Sequence, residues 1–195
     1  MIRFCNTNFA NPFLFSKKSL NQFKMKLFQL SASSHDGDYK FYTVENIVAF
    51  MDTIKQGKIP APPIKLSIYE GKSKKEKSKR LDFNVSTSLP YFFVNEEIKD
   101  EMKHMNVEFV PVETNDHRLF YLTLPRNSIN IINFKDSDDL FDMILEGRFK
   151  FMEGINLKGV YLFTDPNLPS DIFFTEEYVN IFKDKIKGAL FEQII

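Results

Sequence analysis

One pattern occurs twice in the second half of the chain. Residues 93–112 read FVNEEIKDEMKHMNVEFVPV and residues 173–194 read FFTEEYVNIFKDKIKGALFEQI. When the two are superposed, Phe93 meets Phe173, Asn95 meets Thr175, Glu96 and Glu97 meet Glu176 and Glu177, and Met102 meets Phe182. After a two-residue insertion, Phe109 meets Phe191. Each copy has the same physical reading. An apolar strand stops at an Asn or Thr able to cap a helix, and two glutamates follow in the first turn, where the helix dipole favours negative charge. An apolar stripe comes next, and the chain returns to a strand. A parallel return would make each copy a crossover unit. Two copies are too few for a solenoid. The prediction is an α+β fold with a mixed sheet, in which a strand–helix–strand unit is duplicated within one domain over residues 25–195.

The first half reads differently. Residues 1–24 scatter Phe4, Phe9, Phe13, Phe15 and Phe23 among Asn, Ser and Lys. They have no continuous apolar region and no small-residue cleavage site, so they do not read as a signal peptide. They read as an N-terminal extension, with Met25 as an alternative start. Residues 25–80 form an N-terminal subregion and 81–195 the repeat-containing core. Residues 26–30 alternate as a strand. Thr43 is expected to cap a helix over 44–55, with Val44, Ile47, Val48, Met51 and Ile54 on one stripe and Gly57 as the stop. Ile64, Leu66 and Ile68 alternate as a strand. In the second half, strands are expected at 81–83, 91–94, 107–112, 119–124, 129–134, 160–163, 172–174 and 190–194. Helices are expected at 96–105 and 176–187. Residues 137–146 are ambiguous, and Ser137 is placed to cap a short helix holding Leu140, Phe141, Ile144 and Leu145.

Charge and composition exclude several function classes. Lys+Arg and Asp+Glu both number 26, so the chain lacks the basic excess of a dedicated nucleic-acid binder. No run approaches the roughly 18 apolar residues of a membrane span. The one cysteine, Cys5, excludes an internal disulfide framework and fits a reducing compartment such as the cytoplasm. The segment 70–80 (EGKSKKEKSKR) holds six basic and two acidic side chains, which suggests a nucleic-acid or membrane accessory role for residues 72–80. It has no interleaved aromatics to stack bases, so a solvated hairpin loop explains it better.

Catalytic chemistry is not written in any motif. The glycines form neither a dinucleotide fingerprint nor a phosphate loop, and there is no nucleophile elbow or paired-histidine zinc helix. His35-Asp36-Gly37-Asp38 lacks the rest of a calcium loop and reads as a turn. His104, near Asp100 and Glu101, and His117 are the residues around which an unrecognised enzyme site would form, with the glutamates as acid–base partners. Adjacent glutamates do not face each other on a helix, so their dipole role is the simpler reading. Cys5 has no positioned base to make it a nucleophile. The chain therefore predicts no catalytic residue, metal or cofactor. Between 136 and 146 stand Asp136, Asp138, Asp139, Asp142 and Glu146 without any basic residue. They could form a partner-binding patch or be a solvated capped turn; against a basic protein surface such a patch speeds association.

Several segments resemble a known family. Met25–Leu30 is similar to the family's opening strand, and Gly57-Lys58-Ile59 to a Gly followed by an apolar residue after the first helix. Leu81-Asp82-Phe83 resembles the Asp-Phe before the first repeat. FVNEEIKDEM resembles the usual strand-to-helix entry, with Asn95 where Ser is commoner, and VEFVPV at 107–112 resembles the next strand. Asn133–Ser137 resembles an Asp-rich segment ending in Ser, while in VYLFT at 160–164 Thr164 stands where the family has Arg. The family is that of the bacterial immunity proteins of polymorphic-toxin systems, formerly a domain of unknown function first defined on a myxobacterial protein. The resemblance runs from about Met25 to the C-terminus. It implies a cofactor-free antidote that binds one cognate toxin and blocks its active site or another essential surface.

Overall fold

The computed structural model describes residues 25–32, 39–55, 58, 60, 63–69, 79–88, 91–146 and 148–195. The extension 1–24 with Cys5, the His35 turn, Gly57 and residues 72–78 of the basic loop lie outside the described residues. Along the chain run β1 (Leu27–Ala32), β2 (Tyr42–Val44), α1 (Ile47–Lys55), β3 (Ile64–Ile68), β4 (Val85–Ser88) and β5 (Tyr91–Asn95). There follow α2 (Glu96–Met102), β6 (Val107–Thr114), β7 (Phe120–Pro125), α3 (Ser137–Glu146), β8 (Leu162–Asp165), β9 (Leu168–Thr175), α4 (Glu176–Phe182) and β10 (Ala189–Gln193). The fold is α+β. A six-stranded sheet has the order β2-β3-β6-β7-β5-β4 and a four-stranded sheet the order β10-β1-β9-β8. The larger sheet is mixed, because β3 pairs in parallel with β6 while its other pairs are antiparallel.

The duplication is larger than the sequence pattern that reveals it. In the first copy, β5 and β6 both pair antiparallel with β7, so they are parallel to each other with one strand between them. In the second copy, β9 and β10 both pair antiparallel with β1 and are likewise parallel with one strand between them. The hairpin partner β4 flanks β5 as β8 flanks β9. The two units are therefore β6-β7-β5-β4 and β10-β1-β9-β8, with α2 and α4 as the crossovers. The intervening strand of the first unit follows its unit in sequence. That of the second is the first strand of the N-terminal subregion.

Local chemistry is matched in the two copies. The Asn95 side chain accepts from the Ile98 N–H at 3.1 Å, and Thr175 Oγ1 from the Tyr178 N–H at 3.5 Å. Both helices end in the same turn, Met105 N–H donating to Met102 O and Lys185 N–H to Phe182 O, each at 2.9 Å. The glutamates have structural partners. Glu96 accepts from the Tyr121 hydroxyl at 2.6 Å and from Lys99 at 2.9 Å, and these two bonds, in that order, hold its carboxyl below the usual range. Glu176 pairs with Lys26.

Both sheets are buried on both faces, which is why YFFV and IFF are continuous apolar runs. Between the sheets, Phe92 and Val94 meet Leu162, Ile172 and Phe174, together with Ile98 and Met102 of α2 and Tyr178 and Phe182 of α4. Phe92 lies edge-on to Phe174 at 5.3 Å, and the Tyr178 hydroxyl reaches Met102 Sδ at 3.4 Å. On the far face of the larger sheet, Tyr91 and Phe93 pack with Tyr42, Phe50, Leu66, Phe120 and Leu122. On the far face of the smaller sheet, Leu27, Phe163 and Phe173 pack under residues from the 129–160 segment.

Several local expectations are corrected. Thr43 does not cap a helix: its hydroxyl donates to Ser67 O, and Val44 pairs with Leu66 in the sheet, so α1 begins at Ile47. Among its described side chains Phe50 is buried, while Val48 is exposed. Residues 81–83 are not a strand; the strand is the polar segment Val85–Ser88, whose Ser86 accepts from the Tyr42 N–H. Residues 129–134 form no ladder beyond an isolated bridge of Ile132 to Phe151. Helices α2 and α4 end at Met102 and Phe182.

The two sheets are stapled at one corner. The Asn84 and Val85 N–H groups both donate to Lys187 O, the Asn84 side-chain amide donates to Lys185 O, and Asn84 Oδ1 accepts from the Lys187 N–H at 2.7 Å. This brings Gly188 so close that a Cβ there would stand 2.2 Å from Val85 O, in a backbone with φ +104°. Gly188→Ala is expected to lower unfolding free energy by about 2–4 kcal/mol, from clash and left-handed strain together. Urea denaturation checks this, and a loss below about 0.5 kcal/mol would contradict the staple.

A second latch ties β2 to the β6–β7 turn. The Tyr42 hydroxyl donates to Asp116 Oδ1 and Arg118 Nε to Asp116 Oδ2, both at 2.6 Å, and the guanidinium lies 4.2 Å from the Phe83 ring centroid. Burial alone would raise the Asp116 pKa. The bonds from Tyr42, Arg118 and Thr114 outweigh it and hold the carboxyl below the usual carboxylate range. A carboxyl whose folded pKa is depressed stabilises the fold above its unfolded pKa and stops doing so as pH falls through the folded value. The stability of Asp116→Asn is therefore expected to fall less than that of the wild type between about pH 5 and pH 2. Parallel acid titrations of the two proteins would disprove this.

Candidate protein-binding surface

The segment between β7 and β8 is mostly irregular, so its backbone needs partners outside a ladder. Asp165, fully buried in the β8–β9 hairpin, supplies them. Its Oδ2 accepts from the Ile131 and Ile132 N–H groups at 2.7 and 2.9 Å. Its Oδ1 accepts from the Asn167 N–H and side-chain amide at 2.7 and 2.9 Å. One carboxylate thus holds the segment on the smaller sheet. Ile131, Ile132 and Met143 sink into the core beneath, with Leu140, Phe149 and Phe151 packed around them.

Helix α3 sits on this platform. Its cap is Asp136, not Ser137: Oδ1 of Asp136 accepts from the Asp138 and Asp139 N–H groups at 3.1 and 3.0 Å, and its carbonyl accepts from Leu140. Asp139 reaches back to accept from the Lys135 N–H and pairs with Lys150, and these two interactions, in that order, lower its pKa. Two of the five predicted acids therefore build the helix start. Asp138, Asp142 and Glu146 point to solvent.

The apolar side chains of α3 divide unexpectedly. Met143 is buried, but Phe141 is 59% exposed, Leu145 69% and Ile144 46%. At about 100° per residue, Phe141 and Leu145 fall beside Asp138 and Asp142 on the outer face. The outer surface is an apolar strip bordered by carboxylates. The sequence reading places Leu140, Phe141, Ile144 and Leu145 on this helix without dividing them between core and surface. A signal was present: with Met143 these residues spread over an arc of about 200°, too wide for one core contact.

The other candidates do not converge. His104, exposed, stacks edge-on to Tyr161 at 5.5 Å. His117, also exposed, is in the β6–β7 turn with φ 62°. The whole of β6 runs between them, about 25 Å at the usual rise, so they do not share a site. Among the described residues no group of three or more His, Cys, Asp and Glu is placed to hold a metal ion, and no helix is long and apolar enough to cross a membrane. No family model matches the chain, and comparison with characterised proteins finds no significant similarity.

If Asp165 anchors the platform, Asp165→Asn turns one acceptor into a donor facing buried N–H groups. Its expected cost is about 2–4 kcal/mol, read as an earlier urea midpoint. A variant as stable as the wild type would show that the segment is held by packing alone.

Proposed function

We propose that this chain is a cytoplasmic bacterial immunity protein of a polymorphic-toxin system, which neutralises one cognate toxin by stoichiometric binding and needs no cofactor. The observation that carries the reading is the outer face of α3. Three large apolar side chains stand in solvent on a helix whose other face is anchored, and the exposed carboxylates of Asp138, Asp142 and Glu146 lie along the same helix. Exposed apolar groups on a rigid support favour a protein partner. The carboxylates favour a partner with a basic surface, and a nuclease's substrate groove is such a surface. The resemblance of residues 25–195 to the immunity family supports the same conclusion. In this reading Phe141 and Leu145 supply the contact area, while Asp138, Asp142 and Glu146 steer the approach and set orientation. The repeat is scaffold.

The test uses the cognate toxin domain that this reading expects to be encoded beside the chain. Co-expression is expected to restore growth, and the two proteins are expected to co-purify at equal stoichiometry. Leu145→Glu is expected to weaken the complex by at least about tenfold, the loss of a buried apolar anchor. Asp138→Lys with Asp142→Lys is expected to slow association and reduce its salt dependence. Neither change touches the core, so thermal stability should stay within a few degrees. A toxin that does not bind, or one that binds the variants as it binds the wild type, would overturn the reading.

A further inference from the structure

The second unit has an open edge where the first has a neighbour. In the first unit β3 lies parallel against the outer side of β6, with Ile64 opposite Val112 and Leu66 opposite Thr114, and the Asn115 N–H donates to Leu66 O at 3.0 Å. Backbone groups alternate sides along a strand, so Phe109, Pro111 and Glu113 face β3 as Asn115 does. In the second unit the Ile194 N–H donates to Leu27 O at 2.9 Å, so the backbone groups of Leu190, Glu192 and Ile194 face β1. Those of Phe191 and Gln193, the counterparts of Phe109 and Pro111, face away. Their N–H and C=O groups have no partner among the described residues, and β10 ends its sheet. The opposite edge of that sheet is closed: the Ile129 N–H donates to Thr164 O of β8 at 2.9 Å, and the Thr164 N–H to Asn127 O at 3.0 Å. Gln193 also has the N–H that Pro111 lacks, so pairing can begin earlier on β10 than on β6.

Unpaired edge groups are a template for one more strand, and the duplicated unit shows that this edge accepts one in parallel. The neighbouring side chains define its chemistry. Leu190, Glu192 and Ile194 share one face; Leu190 is 55% exposed, Glu192 is exposed and Ile194 is half-buried. The matching strand has apolar residues opposite Leu190 and Ile194 and a Lys or Arg opposite Glu192. A second copy of β10 is a poorer match. Related by a two-fold axis it runs antiparallel, and centred on Phe191, Glu192 or Gln193 it sets Glu192 opposite Leu190, its own copy or Ile194, never opposite a cation. We propose that the outer edge of β10 binds an extended segment of a partner protein as a parallel strand, in which a Lys or Arg is flanked at two-residue spacing by apolar side chains. The proposal does not depend on the antidote reading.

Titration of the isotope-labelled chain with the peptide TVTKTVT, acetylated and amidated at its ends and followed by amide NMR, tests it. The expected result is saturable shifts of the Phe191 and Gln193 amides, with TVTETVT at least about fivefold weaker. Gln193→Pro removes an outward donor and leaves the ladder to β1 intact, so it is expected to weaken binding at least about tenfold while the melting temperature stays within a few degrees. Methylating the peptide's lysine amide, which would donate to Phe191 O, is expected to do the same without any change to the protein. A nitroxide at the peptide's N-terminus is expected to broaden Ala189 and Leu190, as a parallel strand requires. No shift at Phe191 and Gln193, equal binding of the two peptides, unchanged binding of the methylated one, or broadening at Ile195 instead would overturn the proposal. So would a chain that sediments as a dimer and becomes a monomer on Gln193→Pro, because a second copy would then hold the edge.

Discussion

Each repeat leaves a gap that one more strand must fill, and the rest of the molecule is arranged around the filling of these two gaps. A seven-residue helix joins two parallel strands that are not neighbours, so their facing backbone groups stay unpaired until an antiparallel strand enters. In the first unit β7 enters from the adjoining turn. In the second, β10 lies near the end of the chain and β1 takes the place from the opposite end of the described chain. This long-range insertion makes the N-terminal subregion part of the C-terminal repeat's sheet, and it sets the two units face to face. It is also incomplete, because β1 leaves β9 after two pairs, and a cavity lined by Asp171 among others lies at that departure.

With the units face to face, the apolar stripes of α2 and α4 share one layer, and each sheet has a second apolar face to cover. On the larger sheet, α1 with β2 and its neighbours does this. On the smaller sheet the mostly irregular 126–160 segment does it, fastened by two hydrogen bonds from Ile131 and Ile132 to Asp165, whose other oxygen is held by Asn167. The segment's inner side chains satisfy the core and its outer ones are free for other use. The proposed function rests on that division: α3 is short, capped by Asp136, anchored by Met143, and presents Phe141 and Leu145 outward. A surface built on irregular chain over a rigid sheet can vary in sequence at little cost to the fold.

The parts of the structure legible in the sequence are those set by neighbouring residues. Asn95, Thr175 and the glutamate pairs mark helix starts through capping and the dipole, and both starts are where the pattern places them. The parts that escape are decided by distant residues. Val44 suits a helix, but its partner Leu66 draws it into a sheet. Ser86 and Thr87 look like loop residues, yet they lie in a buried strand, with Ser86 serving the Tyr42 backbone. Residues 129–134 have a strand's composition, and the Asp165 carboxylate takes the N–H groups a ladder would need. Of the candidate site, the acids were legible as a cluster. Their division into cap residues and solvent-facing carboxylates was not, and although the wide apolar arc showed that some side chains must be exposed, it did not show that Phe141 and Leu145 are, because that depends on how α3 is rotated on its platform.

The claim that α3 faces a protein partner is tested most directly by hydrogen–deuterium exchange on the chain alone and with the proposed cognate toxin. The account predicts that new protection concentrates in residues 136–146, with the β6–β7 turn around His117 and the α2 end around His104 unchanged. Protection at either of those places, with 136–146 exchanging as freely as in the unbound chain, would contradict it.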